Sequence, residues 1–188
     1  TLGLPRARAV WGDFLLKGTS VPRDVERGLA LLRQAGEGGE VTGWIMLGNA
    51  FLIGVPGAFE PDLAKAAGYF GEAASAGDPG AMYKLSTLQT ELGEHQAARA
   101  TAKQAAELGH AAAAVRYASL LLTTQGGPAD LETALRILRS REATSVRANE
   151  VLAEVYRSDS GVRPDPDASA RYLRQAQALR EADRQQER

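Results

Sequence analysis

Apolar pairs recur along the chain at a fixed distance from an acidic residue. The acidic residues are spaced by 38, 32, 36 and 35 positions: Asp24, Asp62, Glu94, Asp130 and Asp165. Seven and eight residues after four of them comes a mostly apolar pair: Leu31-Leu32, Tyr69-Phe70, Ile137-Leu138 and Tyr172-Leu173. The remaining pair, Thr101-Ala102, breaks the pattern. Self-similarity at this period is typical of a repeat array.

A second recurring pair lies upstream of each acidic residue and joins a bulky side chain to a small one. The pairs are Trp11-Gly12, Leu47-Gly48, Leu85-Ser86, Tyr117-Ala118 and Leu152-Ala153. A small residue at such a position lets two helices approach closely. Each repeat is therefore predicted to hold a helix A with this pair and a helix B near the acidic residue. We predict a single domain over residues 1–188, with five helix pairs at about 5–40, 41–77, 78–109, 110–143 and 144–180 and a capping tail at 181–188.

Local signals mark where these helices begin and end. Each acidic residue is expected at the start of helix B, where a carboxylate accepts backbone N–H groups that have no partner within the helix. Gly39, Gly77 and Gly109 follow the first three acidic residues by 15 positions and are expected to end helix B in the left-handed conformation. Asp78-Pro79 is expected to open the next helix as its N-cap and first residue.

The residues of the second repeat resemble a known family. The motif Leu-Gly-x-x-Phe-x-x-Gly at Leu47, Gly48, Phe51 and Gly54 resembles the first helix of a Sel1-like repeat. The stretch 18–35 resembles its loop and second helix, and the stretches 73–78 and 105–111 resemble the junction between repeats. The third repeat looks more like a tetratricopeptide repeat, and the last two lack the glycine of the helix A pair. The resemblance implies an all-α fold, a right-handed α-solenoid of about five Sel1-like or tetratricopeptide-like helix pairs, and a role in protein–protein contact.

Composition narrows the classes of partner. The formal net charge is −1, which offers no electrostatic case for nucleic acid or for an anionic membrane surface. The chain has no cysteine, which excludes disulfides and thiolate chemistry, and its longest apolar runs are too short to span a bilayer. We expect a protein partner, no nucleic acid and no direct membrane span. The sequence begins with Thr1, and we expect a removed N-terminal signal and a bacterial periplasmic location, with the cytosol left open.

The sequence offers few candidates for catalytic, metal-binding or phosphate-binding residues. The two histidines, His95 and His110, have no second ligand at helical spacing, so solvated or capping roles are expected. The glycines of Gly36–Gly39 follow no predicted strand and precede no Lys-Ser/Thr, so a helix end is expected there rather than a phosphate loop. We therefore predict no catalytic residue, no metal site and no cofactor. A hydrolase stays open as a member of a different functional class.

A partner would be expected on the concave face that the A helices line. The residue after each small anchor residue is polar in an otherwise apolar helix: Asp13, Asn49, Thr87, Ser119 and Glu154. These side chains are either a ladder that hydrogen-bonds a partner or the solvated stripe of helix A. Four residues earlier lie Ile45, Tyr83 and Val115, which are either an exposed hot spot or packing between helices. Trp11 is expected in the core.

Three functions follow from the family resemblance. The first is a general adaptor that binds a partner protein in the concave groove. The second is an immunity protein that binds and neutralises a type VI secreted lipase toxin. The third is a scaffold for exopolysaccharide export of the alginate type, with an envelope assembly component as partner.

Overall fold

The computed structural model describes residues 4–18, 21–158 and 161–186, and these form ten α-helices. The helices are α1 Pro5–Lys17, α2 Val25–Glu37, α3 Val41–Ile53, α4 Leu63–Ser75, α5 Pro79–Glu91, α6 His95–Glu107, α7 Ala111–Leu121, α8 Leu131–Arg139, α9 Val146–Arg157 and α10 Pro166–Gln186. The described residues hold no strand beyond an isolated bridge between Val55 and Phe59. The all-α prediction is confirmed.

The helices pack in sequential pairs: α1 with α2, α3 with α4, α5 with α6, α7 with α8 and α9 with α10. Within each unit, the second helix of a pair also packs against the first helix of the next pair: α2 on α3, α4 on α5 and α8 on α9. The predicted pairing of A and B helices is therefore confirmed. The helices fall into two compact units, an N-terminal unit of α1–α6 that ends at Leu108 and a C-terminal unit of α7–α10 that begins at Gly109. The single domain over residues 1–188 stays a prediction.

Acidic residues begin the B helices, as their spacing predicts. Asp24, Asp62 and Asp130 are N-caps whose carboxylates accept the backbone N–H three residues later at 3.0, 2.9 and 3.0 Å. Asp165 accepts the N–H of Ala168 at 2.9 Å in the same way. Glu94 is the N-cap of α6 but makes no side-chain cap hydrogen bond, which agrees with the weak preference for Glu at this position.

The cap at α4 also affects an ionisation equilibrium. The backbone N–H of Lys65 and then its ammonium group hydrogen-bond the Asp62 carboxylate, and they lower the pKa of that carboxyl below its usual value. Hydrogen bonds to the charged form favour that form. The cap is therefore strongest while Asp62 is ionised.

Glycines end the B helices of the N-terminal unit. Gly39, Gly77 and Gly109 have φ values of 89°, 90° and 88°, in the left-handed region that a side chain disfavours. Asp78 then caps α5 by accepting the N–H of Ala81 at 2.6 Å, and Pro79 is the first residue of that helix. These boundary predictions are confirmed.

The small anchor residues bring helices into close contact. A Cβ added at Gly12 would lie 2.9 Å from the carbonyl oxygen of Gly28 on α2. A Cβ added at Gly48 would lie 2.9 Å from the ring of Phe70 on α4, a side chain that is fully buried. Gly43 is closer still, since its added Cβ would meet the carbonyl oxygen of Leu32 at 2.5 Å. The anchor pattern predicts the first two approaches but not the third.

Most of the predicted C-terminal tail belongs to the last helix. Helix α10 runs without a break from Pro166 to Gln186, so residue 181 does not start a separate segment, and residues 187 and 188 lie outside the described residues. The side chains of residues 181–186 are exposed, and the capping role of the tail stays a prediction. Ala, Gln, Glu and Arg are good helix formers, and this composition extends the helix past its packed part.

Candidate partner-binding surface

A groove lies on the N-terminal unit between α1, α3 and the loop that follows α3. Its volume is about 580 Å³. The residues that line it are Asp13, Leu16, Lys17, Arg23, Met46, Asn49, Ala50, Ile53, Gly54, Val55 and Pro56. We call it the A-helix groove, because its long walls are the first helices of two successive pairs. Its volume is in the range of binding pockets for small ligands or anchoring side chains.

Helix α3 gives the groove its apolar character. Asn49 is the one polar residue between Trp44 and Ile53. A helix that is apolar on nearly every side is normally buried, yet the side chain of Ile53 is 74% exposed at the rim of the groove. Burying an exposed isoleucine contributes about 1.5–3 kcal/mol. The exposed end of α3 is therefore a surface that gains free energy when a partner covers it.

Two of the residues expected on the concave face meet in this groove. Asp13 on α1 and Asn49 on α3 both line it. The carboxylate of Asp13 accepts a hydrogen bond from Lys17 Nζ at 2.7 Å. The Asn49 Oδ1 atom accepts one from Lys84 Nζ, across on α5, at 2.7 Å. The Asn49 amide nitrogen keeps two N–H donors that a partner's carbonyl or carboxylate oxygen could accept.

The other three polar positions of the row lie outside the groove. The hydroxyls of Thr87 and Ser119 donate to backbone carbonyl oxygens one turn earlier in their own helices, at 3.1 and 3.0 Å. Glu154 is exposed and accepts a hydrogen bond from Arg157 at 2.8 Å. Ser119 and Glu154 also belong to the C-terminal unit, on α7 and α9. Of the five polar residues predicted to line the concave face, Asp13 and Asn49 line this groove.

The apolar row is mostly packing. Val115 is 2% exposed in the core of the C-terminal unit, so it offers no surface to a partner and the packing interpretation holds for it. Ile45 is half-buried and packs against the core around Phe70. Tyr83 is also half-buried. An offset of four positions leaves this row on the same helix face as the polar row, so the packing of neighbouring helices decides whether each residue is buried.

Several groove residues were missed from sequence. Met46, Ile53 and Val55 contribute apolar lining, and Arg23 adds a cation. The signal for Ile53 was present, since it follows Asn49 by four residues and so shares its face of α3. Arg23 and Val55 come from loops, where helical periodicity gives no guidance.

Exposed apolar side chains form a second apolar surface on and beside α1. Its exposed side chains are Leu4, Val10, Trp11 and Phe14, and Trp11 is 44% exposed, so its predicted place in the core is wrong. One repeat later, Leu47 and Ala50 occupy the positions of Trp11 and Phe14 and are buried, with α2 packed on α3. No described helix precedes α1 to cover the equivalent face. The exposure of Ile53 has no such explanation, which favours the groove as the binding surface.

Each of the two histidines lies at the start of a helix in the described part of the chain. His110 caps α7 by accepting the N–H of Ala113 on its Nδ1 atom at 3.1 Å, which confirms a capping role. His95 is the first residue of α6. Within the described residues no group of three or more His, Cys, Asp or Glu side chains is arranged to hold a metal ion. Nor does any described helix combine the length and apolarity that a membrane crossing requires.

The protein is a helical repeat scaffold. Its helices pack in sequential pairs, and glycines bring neighbouring helices into close contact. The model of the Sel1 repeat matches residues 5–40, 45–78 and 146–177, more than half of the chain. The chain therefore belongs to the Sel1 repeat family, which comprises protein-interaction scaffolds that are generally non-catalytic. The matches agree with the first, second and fifth predicted repeats. The fifth is matched although it lacks the anchor glycine.

Solved structures share this fold. A protective antigen of uropathogenic Escherichia coli with an SLR fold is similar over 94% of the chain, with 22% identity and a TM-score of 0.72. The chain spans 44% of that antigen. A Sel1 repeat protein of Oxalobacter formigenes is similar over 93% of the chain and 73% of its own, with 24% identity and a TM-score of 0.67.

A third structure carries a functional description. An immunity protein of Pseudomonas aeruginosa is similar over 94% of the chain and 69% of its own, with 19% identity and a TM-score of 0.50. At this identity the likeness concerns the fold alone. No curated protein matches the chain.

Proposed function

We propose that this protein binds another protein through the A-helix groove of its N-terminal unit. The observation that carries the proposal is the exposed apolar end of α3, where Ile53 stands 74% exposed over a groove of about 580 Å³. Leu16, Ala50 and Val55 are buried and form its apolar floor. A pocket of this kind accepts an anchoring side chain, the usual centre of an interface hot spot.

The groove is built before any partner arrives. Its two walls, α1 and α3, are each held against α2 by close approach, at Gly12 with the Gly28 carbonyl oxygen and at Gly43 with the Leu32 carbonyl oxygen. A surface that is already ordered loses little conformational entropy on binding, so more of the contact free energy appears as affinity. This supports a scaffold role in which the protein captures a segment of its partner without rearranging.

The test uses a groove variant that keeps the net charge. Asn49→Tyr fills the groove with bulk and Ile53→Ser removes its exposed apolar wall. The full chain, the Asn49→Tyr/Ile53→Ser variant and a Lys103→Glu control on α6, outside the groove lining, would be used as baits in lysate of the source organism. Circular dichroism would confirm that all three are folded.

We expect one partner to be captured by the full chain and by the control, with at least tenfold less captured by the groove variant. Loss of one hot spot of about 1.4 kcal/mol already gives that factor. A partner captured equally by all three proteins would contradict groove binding and place the contact on another surface.

An immunity role is the second candidate, favoured by the fold likeness to the immunity protein of Pseudomonas aeruginosa. In that role the groove would bind and neutralise a secreted lipase toxin. Co-expression with each secreted lipase of the source organism should restore growth in one case, and the groove variant should not restore it. Growth arrest by every lipase in the presence of the full chain would reject this role while leaving the adaptor proposal intact.

A further inference from the structure

The charges around the A-helix groove are unequal in sign. Lys17 and Arg23 line it together with one carboxylate, Asp13. That carboxylate is already paired with Lys17 at 2.7 Å. Arg23 is therefore the charged group of the lining that has no ion-pair partner among the described residues. Its Nε atom donates to the Leu16 carbonyl oxygen at 3.2 Å, which holds the guanidinium at the groove.

A second cation, Lys84 of α5, is not part of the groove lining but contacts it through Asn49. Lys84 donates to the Asn49 side chain at 2.7 Å, and its ammonium lies 5.1 Å from the centre of the Phe70 ring. The described residues supply no ion-pair partner for it. The hydrogen bond to a neutral amide fixes the position of Lys84 without cancelling its charge. The groove thus combines an apolar floor with one cation in its lining, Arg23, and a second cation bonded to that lining, Lys84, and neither charge is neutralised by an ion pair among the described residues.

This combination selects the chemistry of a partner. Charged groups at an interface favour a partner of opposite sign, speed its association and penalise one of like sign. An apolar floor needs a large apolar side chain to displace its water. We propose that the A-helix groove takes a segment of a partner protein that presents a large apolar side chain flanked by Asp or Glu. This inference rests on the proposed function and adds the chemistry of the bound segment.

The two parts of the site have separate roles. Ile53 and the buried floor would hold the apolar anchor, and Arg23 and Lys84 would pair with the flanking carboxylates. Pairs at the open rim are screened by salt, whereas the anchor is not. Binding should therefore weaken, but not vanish, as the ionic strength rises.

The experiment presents a displayed library of random 12-residue peptides to the full chain and removes those that also bind the Asn49→Tyr/Ile53→Ser variant. We expect the retained peptides to be enriched in Leu, Ile, Met or Phe next to Asp or Glu, and depleted in Lys and Arg. Enrichment of basic or uncharged flanks, or no peptide that depends on the groove, would overturn the inference.

A charge variant checks the same point on a single retained peptide. Arg23→Glu/Lys84→Glu should weaken its binding by about tenfold or more at low salt, the size expected for loss and reversal of rim charges, and should reduce its dependence on salt. Lys103→Glu, a charge reversal outside the groove, should leave the affinity unchanged. Equal affinity for the charge variant and the full chain would contradict the assigned role of the two cations.

The outcomes separate this inference from the proposed function. A natural partner that is lost with Asn49→Tyr/Ile53→Ser but kept with Arg23→Glu/Lys84→Glu would sustain groove binding and refute the acidic segment. A natural partner that ignores both variants would refute groove binding, while the peptide selection would still decide the chemistry that the groove accepts.

Discussion

The contact between α1 and α2 gives a sharp test of the packing. In Gly12→Ala the new Cβ would lie 2.9 Å from the Gly28 carbonyl oxygen and 2.9 Å from Leu32 Cγ. Leu32 is fully buried and the other contact is backbone, so neither atom moves without shifting a helix. Overpacking of this kind costs about 1–3 kcal/mol. The gain in helix propensity from Gly to Ala offsets about 1 kcal/mol, which leaves a net loss of up to about 2 kcal/mol in the free energy of unfolding.

Gly68, in the same unit, serves as a control that separates the steric cost of the new Cβ from the gain in helix propensity. Gly68 lies in the interior of α4, as Gly12 lies in the interior of α1, but a Cβ added there meets nothing within 4 Å. Gly68→Ala should therefore show the propensity gain alone, about 0.5–1 kcal/mol of added stability. The two substitutions are chemically identical and are expected to differ in sign.

The assay is urea unfolding followed by tryptophan fluorescence, with far-ultraviolet circular dichroism alongside. Both tryptophans, Trp11 and Trp44, belong to the N-terminal unit, so their fluorescence reports that unit alone. With an m-value of about 1–3 kcal/mol per molar urea, the two midpoints should lie on opposite sides of the full chain's. A midpoint for Gly12→Ala equal to or above that of Gly68→Ala would refute the close-approach argument.

Three further predictions concern caps, acid stability and exposure. Asp24→Ala removes the N-cap hydrogen bond of α2 and should lower stability by about 1 kcal/mol, whereas Glu94→Ala, at the same repeat position without a cap bond, should change urea stability by less than about 0.5 kcal/mol. Because the pKa of Asp62 is lowered in the folded state, its ionised carboxylate stabilises the fold above the ordinary carboxyl pKa of about 4. This stabilisation is lost as the pH falls through the folded-state pKa. Carbon-13 NMR should show Asp62 titrating below an ordinary Asp, and a normal or raised pKa would contradict the cap. Trp11, 44% exposed, should be quenched by iodide more strongly than Trp44 when each is measured in a variant that replaces the other by Phe, and equal quenching would contradict the exposed face of α1.

The sequence by itself determined the helix pairs and most of their boundaries. The cap at Asp24 depends on an N–H only three residues away, and the end of α2 depends on the left-handed Gly39, two residues after the helix. Such contacts are local, so the residues that make them are visible in a short stretch of sequence. The Sel1 repeat could be recognised for the same reason, because its motif is a set of local spacings repeated along the chain.

The position of the proposed binding surface depends on tertiary contacts. Asn49 receives its hydrogen bond from Lys84, 35 residues further along the chain. Val115 and Ile53 are both apolar helix residues, yet one is 2% exposed and the other 74%. Their difference comes from which neighbouring helix covers each one, and no local pattern encodes that.

Trp11 and Leu47 occupy the same position in successive repeats but differ in exposure. Its counterpart Leu47 is buried, while Trp11 is exposed, because α3 has a preceding helix packed against it and α1 has none among the described residues. The repeat pattern fixes which face of a helix is apolar. Only the packing of neighbouring helices decides whether that face is core or a surface open to a partner.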